Sequence, residues 1–405
     1  MGGERRMNRL LILALLVVLI GLQLGWQALV TILLFVLILG VTVLVHEVGH
    51  FVAARRAGVR VLEFGVGFPP RAKVLASRGE TLYTLNWLPI GGFVKLAGED
   101  GTDADDPRSF SAKGTVTKVL ILVAGVAMNL VLALAIFTGI ALTGDPATGV
   151  YVPYVDPGSP AATAGIVVGD VIERLDGTAY GVFGPTNLIT DMRSKAGQTV
   201  TLQVRHADGS ATDVHVTLRS KAELDANSRL GPLGIGKGAV TDATTGAVIE
   251  PGIPVEIRVL ASKVNYPVGT ALKLGVDRTV DATQLIIAGV GDILGNFVTR
   301  PTEAPTAIGP VGIAIEIGNV FWTLGPIATL YLAGLLSANL AVVNILPLPP
   351  LDGGRVVVIL LKRFAGRRVS LRAEQLTYLV GYALLFAFLI WVTTFDLLRQ
   401  LGGTP

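Results

Sequence analysis

The chain of 405 residues contains no cysteine. Disulfide bonds, cysteine-ligated zinc and iron–sulfur clusters are therefore excluded. Histidine is scarce as well, because only His46, His50, His206 and His215 are present. His206 and His215 lie in an alternating, strand-like stretch, where we expect surface or strand-packing roles rather than metal binding. A metal site in this chain is expected to combine His46 and His50 with carboxylates.

Charged residues are also few in this chain. Only 16% of the residues are charged and the formal net charge is +3. No basic segment is interleaved with aromatic side chains, so we expect no nucleic-acid partner. Hydrophobic residues make up 51% of the chain and the mean hydropathy is +0.62. This composition is typical of an integral membrane protein with several helices in a lipid bilayer.

Long apolar runs predict a membrane α-helical fold, a polytopic bundle of about five spans. The first run follows basic side chains but lacks a signal-peptide cleavage site, so an extra N-terminal helix is expected. Arginine and lysine residues follow Ala54 and precede Thr377, which predicts that both of these loops are cytoplasmic. The segment between the third and fourth spans is then extracytoplasmic. The predicted spans are residues 1–27, 28–57, 115–143, 324–356 and 375–398.

The second predicted span carries the sequence H-E-V-G-H at positions 46–50. Helical residues four apart share a face, so both imidazoles can bind one metal ion while Glu47 is offset to the side where water would lie. Zinc makes water nucleophilic near neutral pH, and a neighbouring carboxylate can take its proton during attack on a peptide carbonyl. The spacing therefore predicts a zinc protease site with Glu47 as the general base.

A chance match to H-E-x-x-H is the alternative interpretation. The apolar setting argues against it, because an ionisable side chain near the centre of a bilayer costs about 2.5–3.5 kcal/mol or more. Three such groups on one apolar helix indicate a functional site.

A third metal ligand is predicted near the end of the fourth span. Zinc held by two histidines needs a further protein ligand, and two imidazoles with one carboxylate leave one position open. Prolines interrupt the apolar run after Asn344 and leave Asp352 as a lone carboxylate at membrane depth. Asp352 is therefore the best candidate, and its alternative interpretation is an ordinary Asp-Gly turn residue.

Residues 58–114 predict a β-hairpin and a cytoplasmic loop directly after the metal-binding helix. Strand-like pieces are separated by a Phe-Pro-Pro turn, and Gly91 and Gly92 lie in the last of them. The free edge of such a hairpin could hold an extended peptide substrate through its backbone N–H and C=O groups. A plain cytoplasmic hairpin is the alternative.

A soluble, strand-rich module is predicted for residues 149–236. The sequence G-S-P-A-A-T-A-G-I-V-V-G-D-V-I at 158–172 resembles the PDZ domains of bacterial membrane and periplasmic proteases, and one such copy is present. Residues 265–307 are interrupted by charges, which predicts an amphipathic helix on the membrane or against the catalytic core rather than a span. Gly125 and Asn129, four residues apart in the third span, predict close helix packing rather than chemistry.

Four features together resemble the site-2 protease family of intramembrane zinc metalloproteases. They are H-E-V-G-H at 46–50, G-x-x-x-N at 125–129, the PDZ-like module and N-I-L-P-L-P-P-L-D-G-G at 344–354. Within this family the chain is most similar to the bacterial regulator-of-sigma-E protease (RseP) group, over residues 28–398. The resemblance implies that His46, His50 and Asp352 bind Zn2+ and that Glu47 is the base.

The same resemblance implies two substrate-binding elements. Asn344 would contact the substrate or stabilise the oxyanion, and the hairpin around Gly91 and Gly92 would be a membrane-re-entrant β-loop that binds substrate by strand addition. The chain departs from the group in having one PDZ copy where two are usual, and in having a helix ahead of the catalytic one.

The sequence thus predicts an endopeptidase of the bacterial inner membrane that acts in regulated intramembrane proteolysis. Its substrates would be single-span membrane proteins of the anti-sigma-factor or remnant-signal-peptide type. Two alternatives are a metal-binding or transport protein that uses the same ligands, and a scaffold in which the PDZ domain is the active part. Glu47 separates the first alternative from a protease, because activation of water requires it and metal binding does not.

Overall fold

The computed structural model describes residues 25–100, 103, 105–226, 231–236, 240–241, 248–250, 252–300, 308–365 and 371–400. The N-terminal helix predicted for residues 1–27 lies almost entirely outside the described residues. The chain forms two compact units. The first unit comprises residues 1–137 and 275–405, and the second comprises residues 138–274.

Most of the first unit is helical, and a smaller part of the second unit is helical. In chain order the described helices are α1 (Trp26–Arg56), α2 (Thr115–Thr143), α3 (Pro160–Thr163), α4 (Leu188–Ser194), α5 (Lys221–Ala226), α6 (Val268–Thr299), α7 (Pro310–Leu324), α8 (Pro326–Ile345), α9 (Asp352–Ala365) and α10 (Leu371–Gln400). The described strands are β1 (Val61–Arg78), β2 (Thr81–Leu96), β3 (Asp145–Tyr151), β4 (Val171–Leu175), β5 (Thr178–Gly181), β6 (Thr199–Arg205), β7 (Ala211–Thr217), β8 (Val240–Thr241), β9 (Val248–Glu250) and β10 (Glu256–Val264).

Five described helices are long and apolar enough to cross a membrane: Trp26–Arg56, Thr115–Thr143, Val268–Thr299, Pro326–Ile345 and Leu376–Gln400. Four of them overlap spans predicted from the sequence, although Trp26–Arg56 begins two residues earlier and Leu376–Gln400 ends two residues later than predicted. The segment predicted as one span over 324–356 is divided in the structure, because α8 ends at Ile345 and α9 begins at Asp352 after a turn.

By length and composition, the helix predicted for residues 265–307 is also a candidate span. Val268–Thr299 is one helix of 32 residues, and its apolar windows meet the requirement for a crossing. The charged side chains are spaced along the helix, so an 18-residue stretch contains too few of them to exclude a crossing. Composition therefore permits both a spanning and a surface position for α6.

Helices α1 and α2 approach each other closely near the end of α1. A Cβ atom placed on Gly49 would lie 2.3 Å from the carbonyl oxygen of Ala124, so any larger residue would push the helices apart. Beside this contact, Ala54, Ile121 and Leu122 are buried in one apolar cluster. The close approach brings the middle of α2 against the histidine side chains of α1.

The β1–β2 hairpin bends so that it forms four short paired segments. Residues 61–66 pair with residues 92–96 on one side and with residues 82–85 on the other. Residues 71–78 pair with residues 81–86. Residues 92–96 are therefore an edge segment of this sheet, paired along one side only among the described strands.

The second unit is built on a six-stranded sheet in the order β10-β3-β5-β4-β6-β7. Its core is apolar, with Ile172, Leu175 and Leu202 fully buried. Leu188 and Met192 from α4 pack into the same cluster. Alternation of buried and exposed residues along β6 explains why its strand character could be predicted from the sequence.

This sheet is wider than the module predicted for residues 149–236. β3 begins at Asp145, and β10 pairs with it so that Val264 lies opposite Asp145. β10 was not predicted because nearly all of its residues are exposed, and a strand without a buried face lacks the period-two hydrophobic pattern.

Candidate metal centre

Three potential metal ligands from distant parts of the chain meet in the first unit. His46 and His50 lie one turn apart on α1, and their Nε2 atoms are 3.0 Å apart. The Oδ2 atom of Asp352 lies 2.9 Å from Nε2 of His46 and 3.2 Å from Nε2 of His50. The two histidines are buried, with 5% and 6% of their surface exposed. This is the group that could hold a metal ion among the residues the structure describes.

The spacing of these atoms fits zinc. Ligand atoms about 2.0–2.1 Å from a tetrahedral zinc ion lie about 3.3 Å from one another. The three observed separations, 2.9, 3.0 and 3.2 Å, form a triangle only slightly smaller than this. Two imidazoles and one carboxylate are also the donor types that zinc accepts, and they leave one coordination position open.

Asp352 reaches the histidines because the chain turns sharply between α8 and α9. A Cβ atom on Gly353 would lie 2.1 Å from the carbonyl oxygen of Ile345. A Cβ atom on Gly354 would lie 2.5 Å from the carbonyl carbon of Leu348. The two glycines therefore allow the first turn of α9, which begins with Asp352, to pack against the preceding turn.

Glu47 faces the edge segment of the hairpin. Its Oε2 atom accepts a hydrogen bond of 3.0 Å from the backbone N–H of Val94. A Cβ atom on Gly92 would lie 3.9 Å from Cγ of Glu47, and one on Gly91, which has φ +79°, would lie 2.8 Å from Val43. Both predicted substrate-contacting glycines thus lie against α1 beside the proposed base.

Asn344 lies one residue before the end of α8 and is half-buried. Its side chain makes no hydrogen bond to another residue that the structure describes, the three converging ligands included. The structure therefore brings together His46, His50, Asp352 and the neighbouring Glu47, while the function of Asn344 stays a prediction.

Gly125 on α2 belongs to the site, although the sequence indicated only a packing role. A Cβ atom there would lie 2.5 Å from Nε2 of His50 and 2.7 Å from Cε1 of His46. The backbone of α2 is therefore pressed against both imidazole rings. One turn earlier, the carbonyl oxygen of Ile121 lies 2.8 Å from Nδ1 of His50. The four-residue spacing of Gly125 and Asn129 was visible in the sequence, but the sequence did not show that α1 is the helix they contact.

The other two histidines belong to the second unit. His206 lies on a hairpin with its Nδ1 atom 2.9 Å from Asp170 and its Nε2 atom 2.8 Å from Thr212. His215 on β7 lies 3.0 Å from Thr201 of β6. Their contacts are those of surface and strand positions, as the sequence predicts.

The apolar helices and the three converging ligands are those expected of a membrane metalloprotease. Comparison with known proteins agrees. Residues 34–388 match peptidase family M50. The chain belongs to this family, whose members include the site-2 proteases, and it is a membrane zinc metalloprotease.

Several bacterial relatives extend over most of the chain. A protein of Clostridium acetobutylicum described as a candidate zinc metalloprotease is 30% identical over 371 residues, which cover 91% of this chain and 97% of that relative. The zinc metalloprotease RasP of Oceanobacillus iheyensis is 27% identical and covers 91% of this chain and 99% of its own length. RasP of Geobacillus kaustophilus is 25% identical over 92% of this chain and 98% of that relative.

Proposed function

We propose that this protease cleaves peptide bonds within or beside the membrane-spanning segment of single-span proteins, and that His46, His50 and Asp352 hold its zinc ion. The observation that carries the proposal is the meeting of these three ligand atoms inside apolar segments, with all three separations at or below 3.2 Å. Ionisable groups are costly at membrane depth, so such a cluster requires a function there.

Each residue has a defined part in the proposed hydrolysis. A bound zinc ion would polarise the scissile carbonyl and make water nucleophilic near neutral pH. Glu47 takes a proton from the attacking water and delivers it to the amide nitrogen as the C–N bond breaks, which leaves a carboxylic acid and an amine. The Val94 N–H holds the carboxylate of Glu47 in a fixed orientation from the edge segment. Asn344 would stabilise the negative charge that develops on the carbonyl oxygen.

The edge segment 92–96 is the proposed docking site for the unwound substrate. It pairs with residues 61–66 on one side only, and its other side lies next to Glu47. An extended peptide added to this edge would bring its backbone to the base with no side-chain requirement, which suits substrates of varied sequence. Exposed apolar residues elsewhere in the hairpin, Phe68, Trp87 and Leu88, support its re-entry into the bilayer.

We further propose that the sheet of the second unit is a PDZ domain that lies outside the inner membrane of a bacterium. The motif at 158–172 supports this assignment, and the basic residues after α1 and in the loop before α10 support the orientation. A domain in that position would select substrates of the anti-sigma-factor or remnant-signal-peptide type, as in regulated intramembrane proteolysis.

Direct cleavage tests the proposal. The detergent-purified protein should cut a single-span test substrate, and mass spectrometry of the products should locate the new termini in or next to the membrane segment. A zinc chelator should abolish cleavage, and added zinc should restore it. Zinc bound without cleavage of any of a panel of single-span substrates would favour the metal-binding or transport alternative.

A further inference from the structure

One face of α2 contacts both proposed histidine ligands. Ile121, Gly125 and Asn129 are four residues apart, so they share this face. The carbonyl oxygen of Ile121 meets His50, and the backbone at Gly125 lies against both rings. Asn129, one turn further on, is fully buried, and its amide nitrogen lies 3.4 Å from Nδ1 of His46.

A histidine that binds a metal through Nε2 must carry its hydrogen on Nδ1, because a neutral imidazole has one N–H and one lone pair. The Nδ1–H group then needs an acceptor, which fixes both the tautomer and the ring orientation. His50 has such an acceptor in the carbonyl oxygen of Ile121 at 2.8 Å. His46 needs an equivalent acceptor, and Asn129 is the polar side chain next to its Nδ1 atom.

The amide of Asn129 can present either of its two polar atoms to His46. With Nδ2 toward the ring, Nδ1 of His46 would have to accept, so the hydrogen would move to Nε2 and block metal binding. The same orientation leaves Oδ1 of Asn129 buried without a hydrogen-bond partner. Rotation of the amide by 180° places Oδ1 at Nδ1 of His46, where it accepts the hydrogen, gains a partner and frees the Nε2 lone pair.

The backbone of Asn129 is itself held in place. The hydroxyl of Ser337 on α8 donates a hydrogen bond of 2.8 Å to the carbonyl oxygen of Asn129, and both residues are fully buried. The backbone of Asn129 is thus fixed, and few side-chain rotamers are open to a helical residue. Its amide can therefore impose a fixed orientation on the neighbouring ring of His46.

We infer that Asn129 is a positioning residue that sets the tautomer and ring orientation of His46 and thereby raises zinc affinity without touching zinc. This inference rests on the proposed ligand set of His46, His50 and Asp352. It replaces the packing role that the sequence indicated, because packing alone does not require an amide at this position.

Two substitutions separate an acceptor role from a packing role. Asn129→Leu has a similar size but accepts no hydrogen bond, so zinc affinity measured by chelator competition should fall by about 10–100-fold. Asn129→Asp retains an acceptor oxygen and should therefore keep most of the zinc affinity that Asn129→Leu loses. Cobalt-substituted Asn129→Leu should also show a changed visible absorption spectrum, because the His46 ring is free to reorient, whereas Asn129→Asp should keep the parental spectrum.

Thr138→Val is the matched control. Thr138 lies nine residues beyond Asn129 on the same helix, about 13 Å further along its axis, and its hydroxyl is likewise buried without a partner. This variant should bind zinc as the parental protein does. Parental affinity in Asn129→Leu, or an equal loss in Asn129→Leu and Asn129→Asp, would overturn the inference. If Asp352→Ala also keeps parental affinity, the ligand set itself is wrong and the inference falls with it.

Discussion

Asp352 Oδ2 lies 2.9 Å from His46 Nε2 although 306 positions separate the two residues in the chain. One residue comes from the C-terminal half of an apolar helix and the other from the first turn of α9. Two such groups would not be brought together at membrane depth by apolar packing alone, because each is costly there.

Gly125 lies so close to the histidine rings that no larger residue fits between α2 and the histidines. Gly125→Ala would place a methyl group 2.5 Å from His50 Nε2, so the imidazoles must move and zinc binding should fall to an undetectable level. Gly139→Ala on the same helix is the control, since a Cβ there meets no atom within 4 Å. Zinc content after dialysis measures both, and retention of zinc in Gly125→Ala would contradict the described packing.

A buried carboxylate joins α10 to the start of α7. Asp396 is 2% exposed and accepts hydrogen bonds of 3.0 and 2.9 Å from the N–H groups of Gly309 and Gly312. Asp396→Asn keeps the size but removes the negative charge at the N-terminus of α7, so we expect a loss of about 1–3 kcal/mol in unfolding free energy. Zinc content of the folded protein should not change. Equal stability of the variant and the parental protein in a thermal unfolding assay would refute the prediction.

The orientation of the chain can be tested at three positions. Reporters fused at Ser220 and Arg363 should report opposite sides, extracytoplasmic and cytoplasmic, because of the basic loops. The chain between them then crosses an odd number of times. If α8 supplies one crossing, α6 and α7 together supply an even number.

The length of α7 decides between the two solutions. Its 15 residues extend about 22 Å, which is shorter than the hydrocarbon core of about 30 Å. We therefore expect α6 to remain on the extracytoplasmic side, so that a reporter at Arg300 behaves like one at Ser220. A cytoplasmic signal at Arg300 would mean that α6 crosses.

The second unit should be removable without loss of the metal. Asp145 and Val264 are paired across two strands, so their Cα atoms are about 5 Å apart and a short Gly-Ser linker can replace residues 145–264. We expect this deletion variant to retain zinc and to cleave substrates with large ectodomains that the parental protein rejects. Loss of zinc, measured after dialysis, would mean that the unit is needed to build the catalytic core.

The sequence was most informative where ionisable side chains occur within apolar segments. His46, Glu47 and Asp352 are conspicuous because they interrupt apolar runs, and the structure places them together. Local patterns could not reveal that α2 lies against the histidine rings, because Gly125 and Asn129 look the same at any tight helix contact. The strand β10 escaped prediction because it buries no face. The apolar windows between the charged residues of α6 make it a candidate span that the charge pattern alone did not indicate.

The central claim is that one residue activates water while others hold the metal, and a paired measurement of zinc content and cleavage in two variants tests it. Glu47→Gln keeps the shape of the side chain but cannot take a proton, so zinc should stay near one ion per chain while cleavage falls by about 10²–10⁴-fold or more. Asp352→Ala should instead lose zinc on dialysis together with activity. Cleavage at the parental rate by Glu47→Gln would contradict the account.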